Sequence, residues 1–443
     1  MSNISVAEAH ELLEGGVYKK LMWRILPFLL ICYVASYLDR VNIGFARLQM
    51  SADLGLSEAA YGLAAGLFFL GYVLFEVPSN ILLQKIGARL TFFRIMVLWG
   101  VTSAMTMFVT NPWQLNVLRF LLGAFEAGFF PGVVLYLTYW FPARKRATVV
   151  SWFFVGAAIS GIIGGPLSGW IISTFSGVHG LKGWQWLFLL EAIPSVLLGF
   201  AAFFFVADNP GNVKWLTPNE KRALKTVLDA ETEHSPHDAA SVREALKGPA
   251  IYFLVFLYFA IVSGCYGISF WLPVMIRDSG VKDVFVIGMY SAVPWTIGAF
   301  GIVFLSMWSD KIGNRRIPLA LCTLVGAGAL GAMAYFGQGF GLLDTIVALS
   351  IAIAVIYAAV PIFWSLPPMY LSTRALSVAI AIISSLGSLG GFISPYVIGL
   401  VTNRTGRASD GLYVIVGVLV MCAIAIMIAL PARDRIVPAK ATA

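Results

Sequence analysis

The chain has 443 residues, of which 59% are hydrophobic and only 12% charged, with a mean hydropathy of +0.85. Soluble domains carry roughly 25% charged residues, so the composition excludes a soluble globular protein and points to many membrane spans. The net charge of +8 does not indicate nucleic acid, because it comes from loop lysines and arginines.

The N-terminal stretch "MSNISVAEAHELLEGG" is polar and acidic. It lacks the basic region and short apolar core of a signal peptide. Crossing a bilayer takes about 20 mainly apolar residues per helix. Twelve runs meet that length: 22–48, 59–84, 90–109, 114–140, 147–174, 184–207, 250–276, 284–308, 317–337, 343–371, 375–402 and 410–430. They are called spans 1 to 12 below. A β-barrel would instead show alternating segments of about ten residues. The fold class read from the sequence is an all-α integral membrane protein, with twelve transmembrane helices in two pseudo-symmetric six-helix bundles.

Residues 208–249 form the longest polar stretch and divide the chain. The predicted parts are an N-terminal bundle over 1–207, a central loop over 208–249 and a C-terminal bundle over 250–443. Within the loop, "LTPNEKRALKTVLDAE" predicts a surface helix with Thr217 as N-cap and Pro218 in the first turn. The positive-inside rule orients the chain. One set of loops holds Lys85, Arg89, Arg94, Arg144, Lys145, Arg146, Lys311, Arg315, Arg316 and Arg374. Lys19, Lys20 and Arg24 near one terminus and Arg433 and Arg435 near the other join that side, whereas Lys182 and Arg277 are scattered opposite. Both termini are expected in the cytoplasm. Cys32, Cys265, Cys322 and Cys422 each sit in apolar runs without metal-ligand spacing, so neither a disulfide nor a metal site is expected.

The halves carry a repeated signature. "NILLQKIGARL" follows span 2 and "SMWSDKIGNRR" ends span 8, aligning Lys85 with Lys311, Gly87 with Gly313 and Arg89 with Arg315. A tight turn needs the glycine, and the cations suit neighbouring helix ends and carboxylates. Twelve spans, two related halves and this doubled loop resemble the major facilitator superfamily. Gln84 stands where the family usually has Asp, while Asp310 keeps it in the second half. "YLDRVNIGFA", "FEVPSN", "LRFLLGAFEAGFFPG" and "YGISFWLP" together resemble its anion:cation symporter branch, and "RFLLGAFEAGFFPGVVLYLTYWFPARKRA" is most similar to bacterial tartrate permeases. The resemblance implies a transporter rather than an enzyme, in the bacterial inner membrane. Substrates implied for the branch are tartrate, sugar acids, phthalate and hydroxyphenylacetate.

Charges inside spans are costly and are usually paired or functional. Here they fall in the first half: Asp39 and Arg40 on span 1, Glu76 on span 2, Arg119 and Glu126 on span 4, and Glu191 on span 6. Adjacent helical residues point about 100° apart, so Asp39 and Arg40 serve different surroundings. Arg40 and Arg119 fall at similar depth, and two guanidinium groups at one level can grip a carboxylate bidentately. An alternative is that Arg40 pairs with Glu126, or Arg119 with Asp39, only to hold helices together. Asp39 and Glu126 are the candidate proton-coupling acids, since burial and a neighbouring arginine push a carboxyl in opposite directions. The resemblance assigns the same roles: acids on spans 1 and 4 to coupling, arginines to the anion. Glu76 reads as a gate or helix-end contact and Glu191 as a partner of the basic loops. His10, His179, His234 and His237 all lie in polar segments and are not proton relays.

Tyr266, Trp271, Trp295 and Trp364 are candidates for the second-half wall of a site, with Tyr72 opposite. The resemblance singles out Tyr72 and Trp364. On span 11, Ser384 and Ser388 stand where relatives often carry Asn. The glycine-rich "GAAISGIIGGPLSGW" of span 5 resembles a motif of exchangers and suits close helix packing. The expected function is import of a small organic carboxylate, tartrate-like or sugar-acid-like, by proton symport through a monomer. The proton is the coupling ion and no organic cofactor is expected. Alternatives are an exchanger or exporter of the same fold, or a carboxylate sensor that does not transport.

Overall fold

A computed structural model describes residues 5–233, 248–371 and 373–430. His234, His237, Arg433, Arg435 and part of the central loop lie outside the described residues. Among the described residues, twelve helices are long and apolar enough to cross a membrane. Large apolar side chains such as Leu197, Phe204, Phe304, Leu343 and Ile428 point outward and exposed, as a surface facing hydrocarbon requires.

Most spans match the expected runs to within a few residues, and four depart for visible reasons. Span 1 is longer than predicted, with helices Tyr18–Val41 and Ile43–Asp53 hinged at Asn42. Span 4 breaks into Pro112–Glu126 and Phe129–Thr138, with Gly128 left-handed between them. Span 10 ends at Trp364 rather than 371. Pro367 and Pro368 follow, neither able to donate a backbone N–H to the helix ladder, and they open a separate short helix, Pro367–Tyr370. Span 11 consists of Thr373–Ser388 and Gly390–Thr405.

The predicted surface helix forms over Pro218–Glu233. Glu220 N–H donates to Thr217 Oγ1 at 3.3 Å, and the Glu220 carboxylate accepts Thr217 N–H, the reciprocal pattern of a capping box. Lys20 Nζ donates to Glu220 at 3.0 Å, tying this helix to the start of span 1.

Both copies of the loop signature end their helix at a glycine with positive φ. Gly87 ends span 2 at φ 85° and Gly313 ends span 8 at φ 63°, conformations that suit glycine. Arg315 pairs with Asp310 at 2.6 Å. In the first half the carboxylate comes from Asp208, beyond span 6: it accepts Arg89 N–H at 3.0 Å, while Arg89 Nε donates to the Val206 carbonyl at 2.9 Å. Asp208 thus supplies the acid that Gln84 lacks. Lys85 is exposed beside this turn.

Spans 2 and 11, and spans 5 and 8, form the main contacts between the first six spans and the last six. These contacts are tightest at the end away from the termini. A Cβ on Gly62 would lie 2.4 Å from the Pro395 carbonyl oxygen, and one on Gly399 would lie 2.4 Å from the Glu58 carbonyl oxygen. The span 5 stripe is used the same way: Cβ atoms on Gly165 and Gly169 would meet the carbonyls of Gly288 and Val284 at 2.6 and 2.8 Å. Arg47 adds a cross-contact at this end. It is buried, paired with Glu58, and sits in the corner between the Tyr61 ring at 4.4 Å and the Trp271 ring at 4.1 Å, which meet each other edge-on. Tyr61 Oη donates to the Phe270 carbonyl at 2.8 Å.

Candidate functional site

A central cavity of about 120 Å³ lies between the halves, on the termini side of these contacts. Spans 1, 2, 7, 10 and 11 supply most of its wall. Of the predicted site residues, Arg40, Tyr72, Tyr266, Trp364, Ser384 and Ser388 line it together. They come from five spans of widely separated sequence, so the fold assembles them.

Arg40 is the only ionic side chain of this lining. Its Nη2 pairs with the Glu126 carboxylate, and its Nη1 donates to Tyr266 Oη at 2.7 Å. Its Nε, buried, has no partner. The rings of Phe68, Tyr72, Tyr37 and Tyr266 surround the guanidinium at 5.0 to 6.0 Å, which fixes its position and adds cation–π attraction. Glu126 is fully buried at the end of the first span 4 helix and also accepts Ser36 Oγ at 2.7 Å. A helix C-terminus offers a carboxylate no favourable dipole, so Arg40 and Ser36 stabilise its charge.

Arg119 does not open onto the cavity. It is buried and donates from Nη2 to the Arg40 carbonyl at 3.1 Å, satisfying a backbone acceptor near the hinge of span 1. Its Nε and Nη1 have no hydrogen-bond partner. The two arginines are neighbours, as their depth predicted, but in this conformation they do not present a joint grip.

Asp39 also departs from expectation. The carboxylate points away from the cavity and is met by neutral donors, not by an arginine. Ser195 Oγ donates at 2.6 Å, Ser103 Oγ at 2.7 Å and Trp99 Nε1 at 3.1 Å. The 100° step between adjacent helical residues is the reason: Arg40 faces the cavity while Asp39 faces spans 3 and 6. Glu191 is likewise buried and accepts Ser168 Oγ at 2.7 Å, so its expected pairing with basic loops is not what forms. Glu76 reaches across to span 11, accepting Ser385 Oγ at 3.0 Å and Ser384 Oγ at 3.4 Å. Trp271 and Trp295 leave the cavity wall for the inter-half contacts. Trp295 packs on Gly161 and edge-on to Tyr37 and Tyr357.

Among the lining residues that sequence reasoning did not single out, two join the halves. Tyr37 and Tyr357 share a hydrogen bond of 2.6 Å across the halves, and Tyr357 also meets Ser269 Oγ at 2.6 Å. Their positions inside ordinary apolar helices gave no signal. Among the described residues no group of acids, histidines and cysteines could hold a metal ion, and the four cysteines are buried and unpaired.

The chain matches the family model described as Major Facilitator Superfamily over residues 29–395. It belongs to that family. Its members are transporters, not enzymes, and the chain is a multi-pass membrane protein. It is 44% identical over 418 residues to a Pseudomonas putida protein named putative metabolite transport protein NicT, covering 94% of this chain and 95% of the relative. A putative tartrate transporter of Agrobacterium vitis is 41% identical, covering 94% and 92%. A quinolone resistance transporter of Acinetobacter baumannii is 38% identical, covering 90% and 92%. Among solved structures, an inward-facing bacterial homologue of the human lysosomal transporter Spinster matches the fold with a TM-score of 0.72 at 17% identity, covering 91% of this chain and 95% of that one.

Proposed function

We propose that this transporter imports a small organic carboxylate by proton symport, each half moving as a unit to expose the central cavity alternately to the two sides. The observation that carries the reading is the Arg40–Glu126 pair at the cavity wall. A substrate carboxylate needs the guanidinium that Glu126 already holds. Charged Glu126 repels the incoming anion and competes for the planar fork that Arg offers. Protonation removes that charge and frees Arg40, so anion and proton bind together and leave together. Arg119 puts a second positive charge behind Arg40. Asp39 is the other candidate proton carrier, buried among three neutral donors without a cation beside it.

With both termini in the cytoplasm of a bacterial inner-membrane protein, the closely packed end faces outward and this conformation opens inward. The protein works as a monomer. Tartrate, from the name of a relative, and sugar acids belong to the candidate substrates. The name of the Acinetobacter relative favours a second reading, export by the same fold.

Proteoliposomes separate the readings. An inward proton gradient should drive accumulation of a labelled carboxylate, and Arg40→Ala should abolish its binding while the protein remains folded. Accumulation driven only by an outward proton gradient supports export, and unchanged affinity in Arg40→Ala removes the proposed site. A sensor would bind the carboxylate without counterflow.

A further inference from the structure

We infer that the central cavity selects a flat aromatic monocarboxylate over tartrate or a polyhydroxylated sugar acid. The inference rests on the carboxylate reading above and narrows its substrate class. It stands on the size, walls and polar capacity of the cavity.

At about 120 Å³ the cavity is close to the roughly 150 Å³ of an apolar protein cavity that holds benzene. Its walls are rings: Tyr33, Phe69, Phe130, Tyr258, Tyr266 and Trp364 all line it. They are held in fixed orientations by one another. Trp364 sits edge-on to Tyr258 with centroids 4.9 Å apart, Tyr258 stacks on Phe363 at 5.1 Å, and Phe69 meets Tyr266 edge-on at 4.4 Å. Rings so arranged favour another ring by stacked and edge-to-face contacts.

The polar capacity is small. The lining contains no Asn, Gln, His, Asp, Glu or Lys. Much of the hydroxyl complement is already engaged: Tyr37 with Tyr357, Tyr357 with Ser269, Tyr266 with Arg40, and Ser384 with Glu76. A gluconate-like ligand would bury several hydroxyls without partners, and buried unpaired polar groups are penalised. One cation lines the space, so a second carboxylate on tartrate would have no opposite charge to meet. A single carboxylate at one end of a ring satisfies both conditions: its anionic end takes Arg40 from Tyr266, and its ring fills the aromatic remainder.

The test is isothermal titration of the purified full chain in detergent with benzoate, tartrate and gluconate. Benzoate should bind at least roughly tenfold more tightly than either of the others, and Arg40→Ala should abolish its binding. Trp364→Leu should weaken benzoate roughly three- to tenfold, the range aromatic pairing provides, and Trp364→Phe should restore most of it. Tartrate or gluconate binding as tightly as benzoate, lost in Arg40→Ala, overturns this inference and leaves the carboxylate reading standing. Benzoate affinity unchanged in Trp364→Leu also overturns it. If none of the three binds, or if benzoate binding is indifferent to Arg40→Ala, the inference falls together with the reading beneath it.

Discussion

The approach of spans 2 and 11 makes Gly62 a sensitive point for the transport cycle. A Cβ at this position would stand 2.4 Å from the Pro395 carbonyl oxygen and 3.0 Å from the Tyr396 Cα. Both are backbone atoms, so no side chain can rotate away. Overpacking of this kind costs about 1–3 kcal/mol. Alanine is the better helix former by about 1 kcal/mol, which stabilises span 2 itself in every conformation and does not relieve the clash. Gly62→Ala should therefore shift the balance between closed and open forms of this end by roughly five- to 150-fold toward open, each 1.4 kcal/mol being tenfold. Spin labels at Ala52→Cys and Asn403→Cys, on the ends of spans 1 and 11, report the separation. The four native cysteines are buried, which leaves the engineered pair to react. Gly328→Ala on span 9 is the control, since nothing lies within 4 Å of its Cβ. A distance distribution in Gly62→Ala identical to that of the parent and the control would refute the idea that this packing holds the end shut.

Arg47→Ala removes the cation held against the Tyr61 and Trp271 rings and leaves Glu58 unpaired; the same spin-label pair should separate further, and Arg47→Lys should do so less. Asp39→Ala strands three buried donors, at about 1–3 kcal/mol each, whereas Asn offers an oxygen to Trp99 and Ser195 and an amide to Ser103. Thermal unfolding in detergent should show Asp39→Ala much less stable than Asp39→Asn. Burial pushes the Glu220 carboxyl up, but the Thr217 N–H, Lys20 and the Thr217 hydroxyl outweigh it and hold its pKa below the ordinary value. The Glu220 contribution to docking of the Pro218–Glu233 helix is thus present above the ordinary glutamate pKa and is lost as pH falls through the lowered one. Proteolysis of that helix as a function of pH checks it, with Glu220→Gln removing the dependence. An impermeant thiol reagent should label Asn212→Cys only after it has access to the cytoplasmic side; labelling in intact cells would reverse the proposed orientation.

The sequence made the fold legible because spanning helices must be long and apolar, and twelve runs met that condition. It also brought six cavity residues into one list: Arg40 as a charge inside a span, Tyr266 as an aromatic candidate, and Tyr72, Trp364, Ser384 and Ser388 through the family resemblance. Direction was harder to read. Helical spacing separated Asp39 from Arg40 but could not say that Ser103, Ser195 and Trp99 would receive the acid. The wall positions of Trp271 and Trp295 were misplaced because an aromatic on a half-buried helix serves a cavity or a packing seam equally well. Gln84 looked like a gap in the loop signature until Asp208, 124 residues later in the chain, filled it. Arg47 passed unnoticed at the end of span 1, where a cation looks solvated. Only its partners on spans 2 and 7 make it a buried contact.

The central claim is that Arg40 is shared between an internal acid and the substrate, with a proton deciding which one holds it. The direct measurement is gradient-driven uptake and substrate counterflow on the same Glu126→Gln proteoliposomes, beside parent vesicles. The amide mimics the protonated acid and leaves Arg40 free. Uphill uptake should be lost, counterflow should persist, and its pH dependence should flatten. Full gradient-driven accumulation by Glu126→Gln would contradict the claim and reduce the Arg40–Glu126 pair to a contact that holds spans 1 and 4 together.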